Sequence, residues 1–291
     1  MRRRPVRSPG LRRAILAGAL FPLLALAAPF LASSRPWAAG AAGEVVLPAP
    51  VPYDPDAVAL ERRFVPPGRE HWLGTDELGR DVLARVIHGS RVSVGAGLLA
   101  AFLAVVVGVG VGALAGLLGG LPDRLALFAI DVVQAVPPLV LVAAGAAFFP
   151  PGALTAPLLI GLTGWTASAR LVRADARRVR GDGFVESVRA AGGSRWRILL
   201  RHVLPHASGP AIAAAPYVLA DAVMTEASLS FLGLGVPPPT ASWGRAIADA
   251  RGSLSEGWWC AAAPAAALLL LLLSARALGE ALSSLESAEQ Q

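Results

Sequence analysis

The sequence contains no lysine; its basic charge is carried by 26 arginines. A P-loop sets a lysine on the nucleotide phosphates, so a conventional Walker A site is excluded and any ATP-driven work needs an ATPase on another polypeptide. Cysteine is nearly absent. The single Cys260 rules out an internal disulfide and, at the start of an apolar helix, reads as packing rather than chemistry. Charge of either sign is sparse: 16% of the 291 residues are charged against 55% hydrophobic, which excludes an ordinary soluble domain and points to a membrane. The arginines cluster beside apolar stretches and lack interleaved aromatics, so nucleic acid is excluded as a partner and membrane lipid is the surrounding medium.

What is there is a series of apolar runs. Residues 1–13 hold six arginines ahead of a charge-free run, Ala14 to Ser34. That run exceeds a secretory signal core of roughly 7 to 15 residues, so it predicts an uncleaved first transmembrane helix with a cytoplasmic N-terminus. Further spans are expected at Val92–Pro122, Leu125–Phe149, Ala153–Ala169, Gly209–Leu232 and Trp258–Ala275, the last opening on a tryptophan pair at the interface. Gly108, Gly112, Gly116 and Gly120 recur every four residues and clear one helix face for close contact. Pro137 and Pro138 kink the third span and free backbone carbonyls within it. Nine arginines between Arg170 and Arg201 make that loop cytoplasmic by the positive-inside rule. Four crossings separate it from the N-terminus, and the two assignments agree.

The fold class that follows is all-α, a polytopic membrane protein with about six transmembrane helices and a helical cytoplasmic loop. Residues 1–35 form the N-terminus and first span, and 36–91 an extracytoplasmic loop with an interfacial helix. In that helix Asp81 is the cap, Val82, Leu83, Val86 and Ile87 form the apolar stripe, and Arg85 and Asp81 face away. Residues 92–282 are a five-helix core with a basic loop at about 170–208, and 283–291 a cytoplasmic tail.

Within the basic loop, Phe184 to Pro205 is the most informative stretch. Val185, Val188, Ala191 and then Ile198, Leu199 and Val203 fall near helical spacing, Gly192 and Gly193 make a turn between them, and Ser194 can cap the second helix. Pro205 is expected to stop it. Two short helices at a glycine elbow would present an apolar stripe and charged side chains to a groove on another protein.

The order Glu186, Gly192, Leu204 and Pro205 resembles the Glu-Ala-Ala loop of membrane subunits of binding-protein-dependent ABC importers, with Ser187 and Val188 where that family usually has two alanines. Two further blocks, HWLGTDELGRDVLARVIHGSRVSVGAG (His71 to Gly97) and EASLSFLGLGVPPPTASWG (Glu226 to Gly244), are similar to its dipeptide, oligopeptide and nickel branch, as are Trp165 and the run Ala169 to Arg173. The resemblance covers roughly residues 71 to 245. It implies a permease subunit in a bacterial plasma (inner) membrane that imports peptides or a related small solute such as nickel. It implies as partners two ATPase subunits, a second homologous permease and an extracytoplasmic solute-binding protein. By the resemblance the loop is a cytoplasmic coupling helix, and contact with the ATPase would fall on Glu186, Arg189, Gly192, Arg197, Leu204 and Pro205.

Three carboxylates, Asp131, Asp221 and Glu226, lie within expected spans, where a charge at the bilayer centre costs about 2.5 to 3.5 kcal/mol on insertion scales. With Pro137 they are candidates for the translocation path; a structural role, near the interfaces or bonded to hydroxyls such as those of Thr225 and Ser228, is the other reading. His202 and His206 are four apart, but Pro205 interrupts the helix and no third ligand is near, so no metal site is read. No catalytic residues and no cofactor are indicated. The competing function is an autonomous proton-coupled secondary transporter, for which two related halves with paired broken helices would be expected.

Overall fold

The computed structural model describes residues 18, 20–21, 23–28, 30–33, 38–39, 45–47, 49–150 and 152–290. The described part consists of helices joined by loops, the longest over residues 49–81, with one short antiparallel ribbon of β1 (Ala38–Ala39) and β2 (Val45–Leu47). The expected first span, 14–34, lies partly outside the described residues; those described within 18–31 are helical.

Helix α1 (Val82–Leu118) is the axis of the fold. Asp81 caps it as expected, its Oδ1 accepting from the Ala84 N–H at 2.7 Å. No separate interfacial helix precedes the span, because neither proline nor a glycine pair interrupts the run and the capped turns continue straight into it. Thirty-seven residues make a rod of about 55 Å, far longer than a hydrocarbon core of about 30 Å, so part of it stands clear of the membrane.

The Asp81 end of α1 is covered by the preceding loop. Asp76 accepts from the N–H groups of Leu78 and Arg80 and from Arg80 Nε at 2.7 Å. His71 Nδ1 donates to Asp81 Oδ2 at 2.8 Å. Arg85 and Asp81 do face away from the apolar stripe, but into this loop rather than into water: both are buried, and Arg85 meets Asp56 at 3.4 Å and Asp76 at 3.7 Å. Gly79, at φ +72°, lies so close to Ala59 that an added Cβ would strike its carbonyl.

Gly119 and Gly120, both at positive φ, turn the chain into α2 (Gly120–Gln134). The expected third span is not one rod. Pro137 and Pro138 divide it into α2 and α3 (Pro138–Ala146), bent by 82°, because two successive residues without N–H groups leave the helix nothing with which to continue its ladder.

Helix α4 (Thr155–Arg180) returns along α1. Three of the four ladder glycines sit in this seam: added Cβ atoms would come within 2.6 Å of Ser168 at Gly108, 2.5 Å of the Ala169 carbonyl at Gly112 and 2.6 Å of Ala176 at Gly116. Gly120 belongs to the turn instead and would meet nothing. Past Ala169 the helix is basic and is pinned to α2 by Arg173, whose Nη2 donates to Asp123 Oδ2 at 2.8 Å.

The basic loop then forms α5 (Gly183–Ala190), α6 (Arg195–Ile198), a π-helical turn (Leu199–Val203) and α7 (Leu204–Ala207). Helix α8 (Gly209–Phe231) runs back along α1, and a proline-rich return leads to α9 (Trp243–Ala250), α10 (Leu254–Gly257) and α11 (Trp259–Gln290). The expected tryptophan pair is split in role. Trp258 is 62% exposed, whereas Trp259 is buried and its Nε1 donates to the Thr75 carbonyl at 3.1 Å, tying α11 to the loop over α1.

Among the described residues, Val82–Leu118, Gly209–Phe231 and Trp259–Leu285 are long and apolar enough to cross a membrane, and the bent α2–α3 pair makes a fourth if it counts as one span. Helix α4 adds an apolar stretch from Thr155 to Ala169.

Candidate functional site

The elbow between α5 and α6 is built by its two glycines. Gly192 takes φ +79°, and the N–H groups of Gly192 and Gly193 bond back to the carbonyls of Arg189 at 3.0 Å and Val188 at 2.9 Å, which closes α5 with a Schellman motif. Ser194 then starts α6, its Oγ accepting from the Arg197 N–H at 3.2 Å, as its position in sequence predicted.

Pro205 does not stop this arm. The chain stays helical through it, because the π-helical turn ahead carries the Leu204 N–H to the Leu199 carbonyl and shifts the bonding register so that the missing N–H falls at the first turn of α7.

The apolar stripe also faces the other way from expectation. Val185, Ile198, Leu199, Val203 and Ala207 are buried in one cluster with Ala113 and Leu117 of α1, Val172, Ala176 and Val179 of α4, and Ala211 of α8. Water drives this, since burying each valine- or leucine-sized side chain is worth about 1.5–3 kcal/mol. The surface left outside is Glu186, Arg189, Gly192, Arg197 and Pro205, all exposed, with Leu204 half-buried. Sequence reasoning missed Trp196 and Leu200, 65% and 60% exposed on the same outer face; their four-residue spacing on an otherwise basic arm was the available signal.

The intramembrane candidates are not brought together. Asp131 is exposed and takes a hydrogen bond from Arg170 Nη2 at 2.7 Å, across from α4 rather than from the nearby Arg124. Pro137 caps the start of α3. Asp221 is exposed on α8. Glu226 is 1% exposed, with Oε1 accepting from Ser230 Oγ at 2.7 Å and Oε2 without a hydrogen-bond partner among the described residues. Neither carboxylate uses the hydroxyls proposed from sequence, because Thr225 and Ser228 donate to the carbonyls of Asp221 and Met224 one turn back.

Glu226 opens a tightly interlocked segment. A Cβ on Gly235 would strike Ser230 Oγ, and one on Gly244 would lie 2.4 Å from the Ala227 carbonyl. Trp243, fully buried, donates its backbone N–H to Ser93 Oγ at 3.1 Å and its indole N–H to the Val86 carbonyl at 2.8 Å. The block similar to known permeases is therefore the clamp that holds α8 and α9 to α1.

Residues 108–285 match the profile of the binding-protein-dependent transport system inner membrane component family. The chain is 36% identical over 206 residues to the probable D,D-dipeptide transport system permease protein DdpC of Escherichia coli K12, covering 71% of this chain and 69% of that one. It is 34% identical over 203 residues to the oligopeptide transport system permease protein OppC of Bacillus subtilis 168, covering 70% and 67%. In fold it is similar to the inward-facing MetNI methionine ABC transporter, with a TM-score of 0.55 at 18% identity, covering 67% of this chain and 93% of that one. A multi-pass helical membrane protein with this organisation is a permease subunit of an ABC importer. The chain belongs to the family of binding-protein-dependent transport system inner membrane components.

Proposed function

We propose that this permease subunit imports peptides across a bacterial inner membrane by ATP-driven alternating access. Its α5–elbow–α6 ridge would be the contact that an ATPase pushes on. The observation that carries this reading is the division of the ridge into two faces: an outer face of Glu186, Arg189, Trp196 and Arg197, and an inner face packed into α1, α4 and α8. Packed interiors do not deform continuously, so force applied to the outer face moves the three helices as a body. ATP binding closes a pair of cytoplasmic ATPases, the ridge follows, and the spans tilt between inward-open and outward-open states.

The chain has no lysine for a nucleotide site, which supports hydrolysis on separate subunits. A second, homologous permease completes the pathway, and an extracytoplasmic binding protein delivers the solute. Peptides are favoured as cargo because the relatives described above are named for dipeptides and oligopeptides.

The test is peptide uptake into membrane vesicles carrying the complete transporter. Uptake that needs ATP and survives collapse of the proton gradient supports this function. Uptake that follows the proton gradient without ATP would replace it with a secondary transporter.

A further inference from the structure

A cavity of about 420 Å3 opens between the Asp81 end of α1, the first turns of α4 and the return ahead of α9. Small-ligand clefts span roughly 300–1,000 Å3. The α1 wall is one helical stripe in which His88, Arg91, Gly95 and Leu99 recur at three- and four-residue steps. Asp56, from the loop over α1, lines the cavity as well.

Among the described residues Arg91 carries an unpaired charge here, and Asp56 is engaged on one side only. Arg91 is exposed and has no ion-pair partner among the described residues. Asp56 keeps 42% of its side chain exposed and meets Arg85 through one oxygen, Oδ1, at 3.4 Å. Arg85 is also held by the Pro55 carbonyl at 3.1 Å and faces Asp76 at 3.7 Å, and His88 is engaged, its Nε2 donating to the Ala32 carbonyl at 2.6 Å. Gly95 leaves the middle of the wall open, since an added Cβ would meet nothing within 4 Å.

We infer that this cavity is an entry site for a small zwitterion, with the solute carboxylate on Arg91 and its ammonium group on Asp56. This rests on the importer reading given above and deepens it, because it assigns the recognition of both ends of a dipeptide to two named side chains. A guanidinium offers a carboxylate paired N–H donors, and its charge gives the bond about twice the strength of a neutral one. A lipid phosphate would satisfy Arg91 by the same chemistry but would leave Asp56 and the open wall unexplained.

The test uses the full chain with Gly95→Cys in membrane vesicles and a membrane-impermeant thiol reagent; the buried Cys260 supplies the unlabelled background. Dialanine at about ten times its dissociation constant is expected to slow labelling about tenfold, since protection follows occupancy. Dialanine amide should protect weakly, Arg91→Gln should abolish protection, and Asp56→Asn should make dialanine and its N-acetyl form equal. Three results overturn the assignment: a thiol the reagent cannot reach, labelling that dialanine does not slow, or equal protection by dialanine and its amide. Labelling that tracks the phosphatidylglycerol content of reconstituted vesicles and ignores dialanine overturns it in favour of a lipid headgroup. Peptide uptake by the complete transporter separates the two layers. No uptake in the wild type refutes peptide as cargo, whereas uptake unchanged by Arg91→Gln refutes the cavity site alone.

Discussion

The backbone N–H of Gly193 reaches back to the carbonyl of Val188 at 2.9 Å, closing α5 and setting the direction of the α6 arm. A Cβ at Gly193 would lie 2.7 Å from that same carbonyl, while Gly192 faces open space and is constrained only by its φ of +79°. Replacing Gly192 by a bulky residue therefore strains one backbone position, at about 1–2 kcal/mol, without a collision inside the fold. Gly192→Trp is expected to leave the protein inserted at its normal level and to lower solute uptake about tenfold or more. Unchanged uptake would count against a role in coupling.

The seam between α1 and α4 depends on backbone approach rather than on large side chains, as suits helices packed in lipid. Gly112→Leu forces the Ala169 carbonyl away from an atom at 2.5 Å, and overpacking of this kind costs about 1–3 kcal/mol. Gly110, two residues earlier, has nothing within 4 Å, so Gly110→Ala should be neutral. Thermal unfolding of the two detergent-solubilised variants checks the contrast; equal losses would mean that the seam is not the determinant.

Asp76 is the hub of the loop over α1, holding Arg80 and facing Arg85. Asp76→Asn removes the carboxylate from buried Arg80, which it meets at 2.7 Å, and leaves Arg85 with Asp56 at 3.4 Å and the Pro55 carbonyl at 3.1 Å; breaking a buried pair from one side costs about 3–5 kcal/mol. Limited proteolysis should cut residues 50–80 of the variant rapidly and spare the wild type. The buried pairing would be dispensable if both resisted equally.

Reporter fusions at position 180 and position 60 are expected to lie in the cytoplasm and outside, respectively. This expectation rests on the arginines at the C-terminal end of α4, by the positive-inside rule. The reverse pattern would overturn the topology and, with it, the position assigned to the zwitterion cavity.

Local chemistry was legible in the sequence where neighbouring residues decide the outcome. The Gly192–Gly193 elbow, the Ser194 and Asp81 caps and the glycine ladder each follow from a few adjacent positions. What escaped depends on distant partners. That Arg85 faces away from the stripe was legible but its burial was not, because Asp56 stands 29 residues away, and Trp259 looked like an interface anchor because Thr75 stands 184 residues away. Pro205 looked like a stop because the π-helical turn that accommodates it is held by packing of Leu199 and Val203 into the cluster with α1 and α4. The same burial turned the apolar stripe inward and left Trp196 and Leu200 on the outer face.

The outer face of the ridge is proposed to bind an ATPase. The most direct test is affinity purification of the tagged protein from its native membrane, with mass spectrometry and an ATPase assay of the eluate, run beside Glu186→Arg and Gly192→Trp. An ATPase and a second permease are expected with the wild type, and in both variants the permease is expected to be retained but the ATPase lost. A protein recovered alone, or an ATPase retained undiminished by both variants, would contradict it.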